Sequence, residues 1–318
     1  MRRPTTAGRG IAATALALAL GLTLAACSGS SKDGASPSPS ATPSASSAAN
    51  AADEAAVAAI TVTGDPGTQP VVTLPSKPFD VTSAVVKVIE PGTGATIEDG
   101  QQLSILSVVV SGADGSVADS TYTTAPDSVI LDSDLGDLHD TLVGQKVGAR
   151  FVMTIPPQSA SAPTTYVRVG EVVSATTLPT RATGTPVMPP PGLPTVTLDA
   201  KGKPTVKAAT GPAPTTLVAQ PLITGTGAPV TADQTLTVHY ILTLWDGTKV
   251  QSTWDTGKPA QFALSSVIPG WQEGLVGQPV GSQVLLVVPP DKGYGAKASD
   301  TIPANSTLVY VVDILAAS

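Results

Sequence analysis

Apolar and polar positions alternate with a period of two in the last third of the chain. Val238, Tyr240, Leu242 and Leu244 fall on one face of a strand, and Leu308, Tyr310, Val312 and Ile314 on one face of another. Residues 284–288 (VLLVV) are instead continuously apolar, bounded by Gly281 and Pro289, as suits a strand covered on both faces. Just before them, Pro269 suits the first turn of a helix, and Gly277 and Pro279 stop that helix within two turns. Trp271 and Leu275 stand four apart, so the indole lies on the apolar face of this helix. Strands are expected at 216–223, 234–244, 261–264, 282–288 and 306–315. Together they predict a curled antiparallel sheet around Trp271.

The pattern occurs twice. GTGA at 92–95 recurs at 225–228, and LVGQKVG at 142–148 recurs as LVGQPVG at 275–281, with one offset between both pairs. Asp114-Gly115 and Asp246-Gly247 keep that offset within a residue, and a Pro-Pro pair follows each apolar strand, at 156–157 and 289–290. The approach also repeats, PVVTL at 70–74 matching PTVTL at 194–198. The copies differ where chemistry would sit. Leu138 stands opposite Trp271, Ser107 opposite Tyr240 and Arg168 opposite Tyr310, and the loop that carries Tyr294 in the second copy is missing from the first. Two domains follow, at 70–175 and 215–318, joined by a Pro-rich linker at 176–214. The linker's 195–206 portion is expected to form a hairpin against the second domain.

The N-terminal quarter has another character. Arg2, Arg3 and Arg9 precede an apolar run at 11–24 that is short for a membrane span, so residues 1–26 read as an export signal. Leu24-Ala25-Ala26-Cys27 resembles a bacterial lipobox, which implies cleavage before Cys27 and lipid on its thiol. The other reading is an ordinary secretory signal with an incidental cysteine; that Cys27 is the only cysteine favours the lipid. Residues 27–60 are rich in Ser, Ala and Pro with hardly a large side chain, and are expected to be a disordered tether. Loss of residues 1–26 takes the formal charge from −7 to about −10. That balance disfavours nucleic acid and electrostatic docking on anionic lipid, leaving the lipid as the membrane link.

The second copy gathers the aromatic side chains. Of three Trp, five Tyr and three Phe in the chain, Tyr240, Trp245, Trp254, Phe262, Trp271, Tyr294 and Tyr310 lie here. VHY at 238–240, DG at 246–247, VIPGW at 267–271, EGL at 273–275, YG at 294–295 and IPANSTLVY at 302–310 occur in the order and spacing of an FKBP-type peptidyl-prolyl isomerase domain. The resemblance covers about residues 217–315. It implies a β-rich α+β fold of two FKBP-like domains, the first degenerate, each an antiparallel curled sheet wrapped around one short helix. It also implies roles: Trp271 as the floor of a proline pocket, Tyr240, Phe262 and Tyr310 as walls, and Val267 and Ile268 as the lip. The Ile268 N–H and the Tyr294 hydroxyl would hold substrate carbonyls. Val250, Gln251 and Ile302 match further substrate-binding positions. Where Val250 and Gln251 stand the family usually has an aromatic and then an aspartate, and it often has an aromatic at Ala260. Those departures imply slower catalysis, weaker binding of the family's macrolides, or a shifted preference for the residue before proline.

The residues themselves exclude several chemistries. With only His139 and His239, one cysteine and no phosphate-cradling glycine loop, the sequence offers no metal-ligand cluster or cofactor site. His139 falls in the degenerate copy and His239 points away from its neighbour Tyr240, so both read as surface or packing residues. Trp245 and Trp254, next to turns, read as covers of the sheet edge. Rotation about a prolyl amide needs no nucleophile, metal or cofactor, only a water-poor apolar cradle and one or two hydrogen-bond donors. The expectation is an extracytoplasmic, lipid-anchored isomerase acting on proline-containing polypeptides during folding of exported proteins. The alternative is a non-catalytic FKBP-like lipoprotein that binds peptides or envelope components.

Overall fold

Polar and apolar patterning resolves into two sheets built on one plan. In the computed structural model, residues 45–159, 163–299 and 301–318 are described. Helix α1 (Ala45–Ala58) leads into a hairpin of β1 (Thr61–Thr63) and β2 (Val71–Thr73). The first barrel holds β3 (Val86–Glu90), β4 (Gln102–Ser111), β5 (Val117–Ser120), β6 (Asp127–Ile130), helix α2 (Asp137–Leu142), β7 (Arg150–Ile155) and β8 (Tyr166–Thr176). After β9 (Thr185–Pro186) and a hairpin of β10 (Thr195–Leu198) and β11 (Pro204–Lys207), the second barrel follows. It consists of β12 (Val218–Thr224), β13 (Thr235–Leu244), β14 (Lys249–Ser252), β15 (Ala260–Ala263), helix α3 (Pro269–Leu275), β16 (Gln283–Val288) and β17 (Leu308–Ala317).

The duplication read from sequence is a duplication of topology. The first sheet runs β3-β7-β8-β4-β5 with β6 on β4, and the second β12-β16-β17-β13-β14 with β15 on β13. Every pairing is antiparallel, and Val109 faces Arg168 in the first as Leu242 faces Tyr310 in the second. Each sheet is apolar on both faces. In the second barrel the concave face sets Val238, Tyr240, Leu242, Leu286 and Val312 against Trp271 and Leu275. Its convex face sets Ile241, Leu285, Val309 and Val311 against Val196 and Val206 of the β10–β11 hairpin and against Trp245. Strand β16, buried at every position, lies between these two covers, which is why its sequence does not alternate.

Two expectations change. The tether predicted for residues 27–60 is helical from 45 to 58. Val57 is buried against Phe79, Val81 and Val152, and Asp53 accepts hydrogen bonds from the N–H and hydroxyl groups of both Thr82 and Ser83 at 2.7–3.2 Å. Alanine is the strongest helix former, so a run poor in large side chains still folds when one valine and one aspartate tie it down. Burial pushes the Asp53 carboxyl up, but its four donors outweigh that and leave its pKa lowered. Asp53→Ala should destabilise the first barrel by about 2 kcal/mol in urea denaturation of the mature chain, because it strands donors that meet a charge. Residues 27–44, with Cys27, lie outside the described residues.

The segment expected as a semi-rigid linker is fastened to the second barrel. The Ala182 N–H donates to Asp313 (2.7 Å), the Thr183 N–H to the Gly281 carbonyl (3.0 Å), and β9 extends the sheet at β12. The barrels also touch directly. Gln261 donates to Ser128 and Thr237, Thr237 donates to Gln102, and Lys258 pairs with Asp132 and Asp134.

Candidate functional site

Helix α3 packs its glycines directly onto strand β16. A Cβ at Gly270 would fall 2.5 Å from Val288 Cγ1, so glycine is needed there for the helix to settle, and one at Gly274 would fall 2.6 Å from Leu286 Cδ2, whose methyl would have to move aside. Pro269 starts the helix at its first turn. This approach sets Trp271, 4% exposed, at the bottom of the concavity with three aromatic rings at its edges. Phe262 and Tyr310 lie 5.4 Å from it and Tyr240 5.7 Å, at interplanar angles of 74°, 85° and 86°. Such edge-to-face contacts are the favoured aromatic geometry and fix the bowl's shape.

Tyr240 is held from behind by Thr253, whose hydroxyl accepts the Tyr240 N–H (2.9 Å) and donates to the Tyr240 carbonyl (3.3 Å). Val267 and Ile268 pack at the rim. The Ile268 carbonyl accepts from Trp271 and Gln272 at the helix start, while its own N–H makes no backbone hydrogen bond among the described residues. Tyr294 is 44% exposed on the loop after β16. That loop is closed by bonds from the Gly295 N–H to the Pro290 carbonyl (2.8 Å) and from the Asn305 N–H to the Gly295 carbonyl (2.7 Å). The Tyr294 hydroxyl bonds to that of Tyr310. Burial, then Tyr294, raises the pKa values of Tyr310 and Tyr240, so all their protons stay available as donors at neutral pH.

Of the ten pocket positions expected from sequence, nine converge here. Val250 and Ile302 are partly buried against the same cluster, and Ile302 is fixed by two hydrogen bonds with Ser299. Gln251 is exposed, so its amide adds nothing to the bowl's interior. Residues 227–315 match the family model of the FKBP-type peptidyl-prolyl cis-trans isomerases. A probable FK506-binding protein of Corynebacterium glutamicum is 37% identical over 116 residues, 36% of this chain and 98% of that protein. The chain belongs to the FKBP-type isomerase family. FkpA of Aeromonas hydrophila, an FKBP-type isomerase, is 48% identical over 92 residues, 29% of this chain and 34% of its own length. The outer membrane protein MIP of Legionella longbeachae is 44% identical over 92 residues, 29% of this chain and 40% of that protein. The chain thus spans about a third of the length of FkpA.

The first barrel has a polar cluster where the second, FKBP-matching barrel has its aromatic bowl. Asp127 pairs with Ile105 as Ala260 pairs with Val238, and it accepts hydrogen bonds from Arg168 (2.6 Å) and Ser107 (3.2 Å). The three polar residues thus stand at the places of Ala260, Tyr310 and Tyr240. Leu138, at the place of Trp271, packs on the remaining apolar core.

Thr253 was missed from sequence, although a signal existed. In the first copy Thr121 Oγ1 likewise accepts the Ser107 N–H (2.7 Å) and donates to the Ser107 carbonyl (3.4 Å), so the repeated Ser-Thr-aromatic triplets at 120–122 and 252–254 mark the device. His239 is a packing residue, stacked on Trp254 at 4.4 Å, bonded to Thr253 and held below its usual pKa by burial. His139 lies between Asp140 (2.9 Å) and Asp99 (3.0 Å) on the surface of the first barrel. Trp245 covers the convex face and donates to the Gly211 carbonyl (3.1 Å).

Proposed function

We propose that the second barrel catalyses cis-trans isomerisation of prolyl bonds in exported polypeptides, on a chain held at the outer face of the cytoplasmic membrane by lipid on Cys27. The observation that carries this reading is the indole of Trp271 framed by three aromatic edges within 5.7 Å. The amide barrier of about 18–20 kcal/mol comes from resonance, which the twisted transition state has lost. A water-poor aromatic bowl takes the prolyl ring and accommodates that twisted geometry better than the planar ground state. Trp271 is the floor, Tyr240, Phe262 and Tyr310 are walls, and Val267, Ile268, Val250 and Ile302 are the rim. The Ile268 N–H and the Tyr294 hydroxyl orient substrate carbonyls.

Small residues at Val250 and Ala260, with Gln251 turned outward, make the rim wider and neutral, so turnover is modest. The first barrel, with Asp127 and Arg168 in place of an apolar cradle, does not isomerise. Protease-free kinetics on Xaa-Pro peptides with residues 27–318 test the reading, and a rate no higher than the uncatalysed one would overturn it. Tyr294→Phe is expected to lower kcat/KM three- to tenfold, through loss of one hydrogen bond of about 1 kcal/mol, with no change in fold by circular dichroism. Membrane-fraction labelling of the full chain beside Cys27→Ala tests the anchor.

A further inference from the structure

The two barrels treat one buried carboxylate differently. Arg150 stands in register with Glu171 on β7 and β8, and Gln283 with Asp313 on β16 and β17, at corresponding places of the repeat. Each carboxylate grips the segment leading into its barrel: Glu171 accepts the Gly67 N–H (3.0 Å) and Asp313 the Ala182 N–H (2.7 Å). In the first barrel a cation completes the arrangement. Arg150, 1% exposed, donates to Glu171 (3.0 Å) and to the carbonyls of Gly64 and Asp65 (2.6 Å each).

In the second barrel Gln283 supplies one hydrogen bond to Asp313 (2.7 Å), and among the described residues no Lys or Arg is within ion-pair distance of that carboxylate, Arg181 acting on it only through its field. At the matching place a cavity of about 310 Å³ opens, lined by Arg181, Asp313, Gln283, Thr183, Leu198 and Ile223. Arg181 lends the wall its stem, which lies against the β10–β11 turn, where a Cβ on Gly202 would fall 2.5 Å from Arg181 Cδ. Asp313 is 1% exposed; burial pushes its carboxyl up to about 6, only partly offset by the Ala182 and Gln283 bonds and the field of Arg181. Across the sheet its register partner is His239, which burial keeps neutral. A buried carboxylate of shifted pKa in a cleft, with a nearby arginine that does not reach it, marks a site.

We propose that this cavity binds a small organic cation bearing a guanidinium or primary ammonium group, which gives Asp313 the charge that Arg150 gives Glu171. Leu198 and Ile223 take the aliphatic stem, and the cation closes the contact between the segment at 181–184 and the barrel. The probe is n-propylguanidinium, the arginine side chain cut free, titrated into residues 27–318 at pH 8 against sodium chloride of equal ionic strength. Saturable amide shifts at 181–184, 283 and 313, with a rise in Tm, are expected below about 10 mM.

Asp313→Asn, close in shape but neutral, should abolish the shifts. Gln283→Arg should fill the cavity from within, raising Tm without the probe and removing its effect. At pH 5 most Asp313 carboxyls carry a proton, so binding should be about tenfold weaker than at pH 8. No saturable shift in the wild-type chain, or one that persists unchanged in Asp313→Asn, would overturn the proposal, whatever the outcome of isomerase assays.

Discussion

Trp271→Leu lowers kcat/KM for Xaa-Pro peptides at least tenfold while the second barrel stays folded. The substitution installs the residue that the first barrel carries at this place, Leu138, which packs there without an aromatic frame. Leucine leaves α3 its apolar contact with the sheet, and Gly270 and Gly274 keep the helix close to β16. The stability cost is therefore that of a partly filled cavity, about 1–2 kcal/mol, against about 3–5 kcal/mol for alanine. The catalytic loss has another origin. Without the indole, Tyr240, Phe262 and Tyr310 lose the surface against which their edges are set, and the prolyl ring loses its floor. Each tenfold in rate corresponds to about 1.4 kcal/mol of transition-state stabilisation, well within what a buried aromatic face supplies. Peptide kinetics and urea denaturation of the same preparation separate the two effects; unchanged kcat/KM in a folded variant would remove Trp271 from the mechanism.

The bowl was legible in sequence because its walls obey a local rule. Tyr240 and Tyr310 sit inside strands whose alternation assigns their face without knowledge of the rest, and Trp271 sits on a helix with its start and stop written beside it. The internal repeat supplied the contrast with Ser107, Leu138 and Arg168. What stayed hidden depends on chain that returns from far away. Asp313 reads as one polar residue in an apolar strand, and its partner Ala182 is 131 positions earlier. Strand β14 is four residues long and offers too little alternation to stand out. Helix α1 was obscured differently: its composition resembles that of a tether, and the few residues that pin it act through Thr82, Ser83 and the convex face of the first barrel. Gln251 was placed at the pocket by resemblance, but strand β14 turns Val250 inward and leaves Gln251 exposed.

Arg150→Met should be the most destabilising single change in the first barrel, by about 3–5 kcal/mol at pH 7 in urea denaturation. Methionine fits the volume but leaves Glu171, 5% exposed, with its buried charge unpaired, and leaves the carbonyls of Gly64 and Asp65 without donors. Exchange of the Gly67 amide should quicken at the same time, because Glu171 would no longer be held in place to receive it. Adding Glu171→Leu should recover much of the loss, since two apolar residues replace a buried ion pair with little net cost; a double-mutant cycle reads that coupling directly. Additive effects in the cycle would mean that the pair contributes nothing beyond its separate contacts. The second barrel shows why the sign depends on context. There the carboxylate has kept its grip on the preceding segment with a neutral glutamine beside it, so adding a cation stabilises, whereas in the first barrel taking one away unties the hairpin loop that Arg150 and Glu171 hold together.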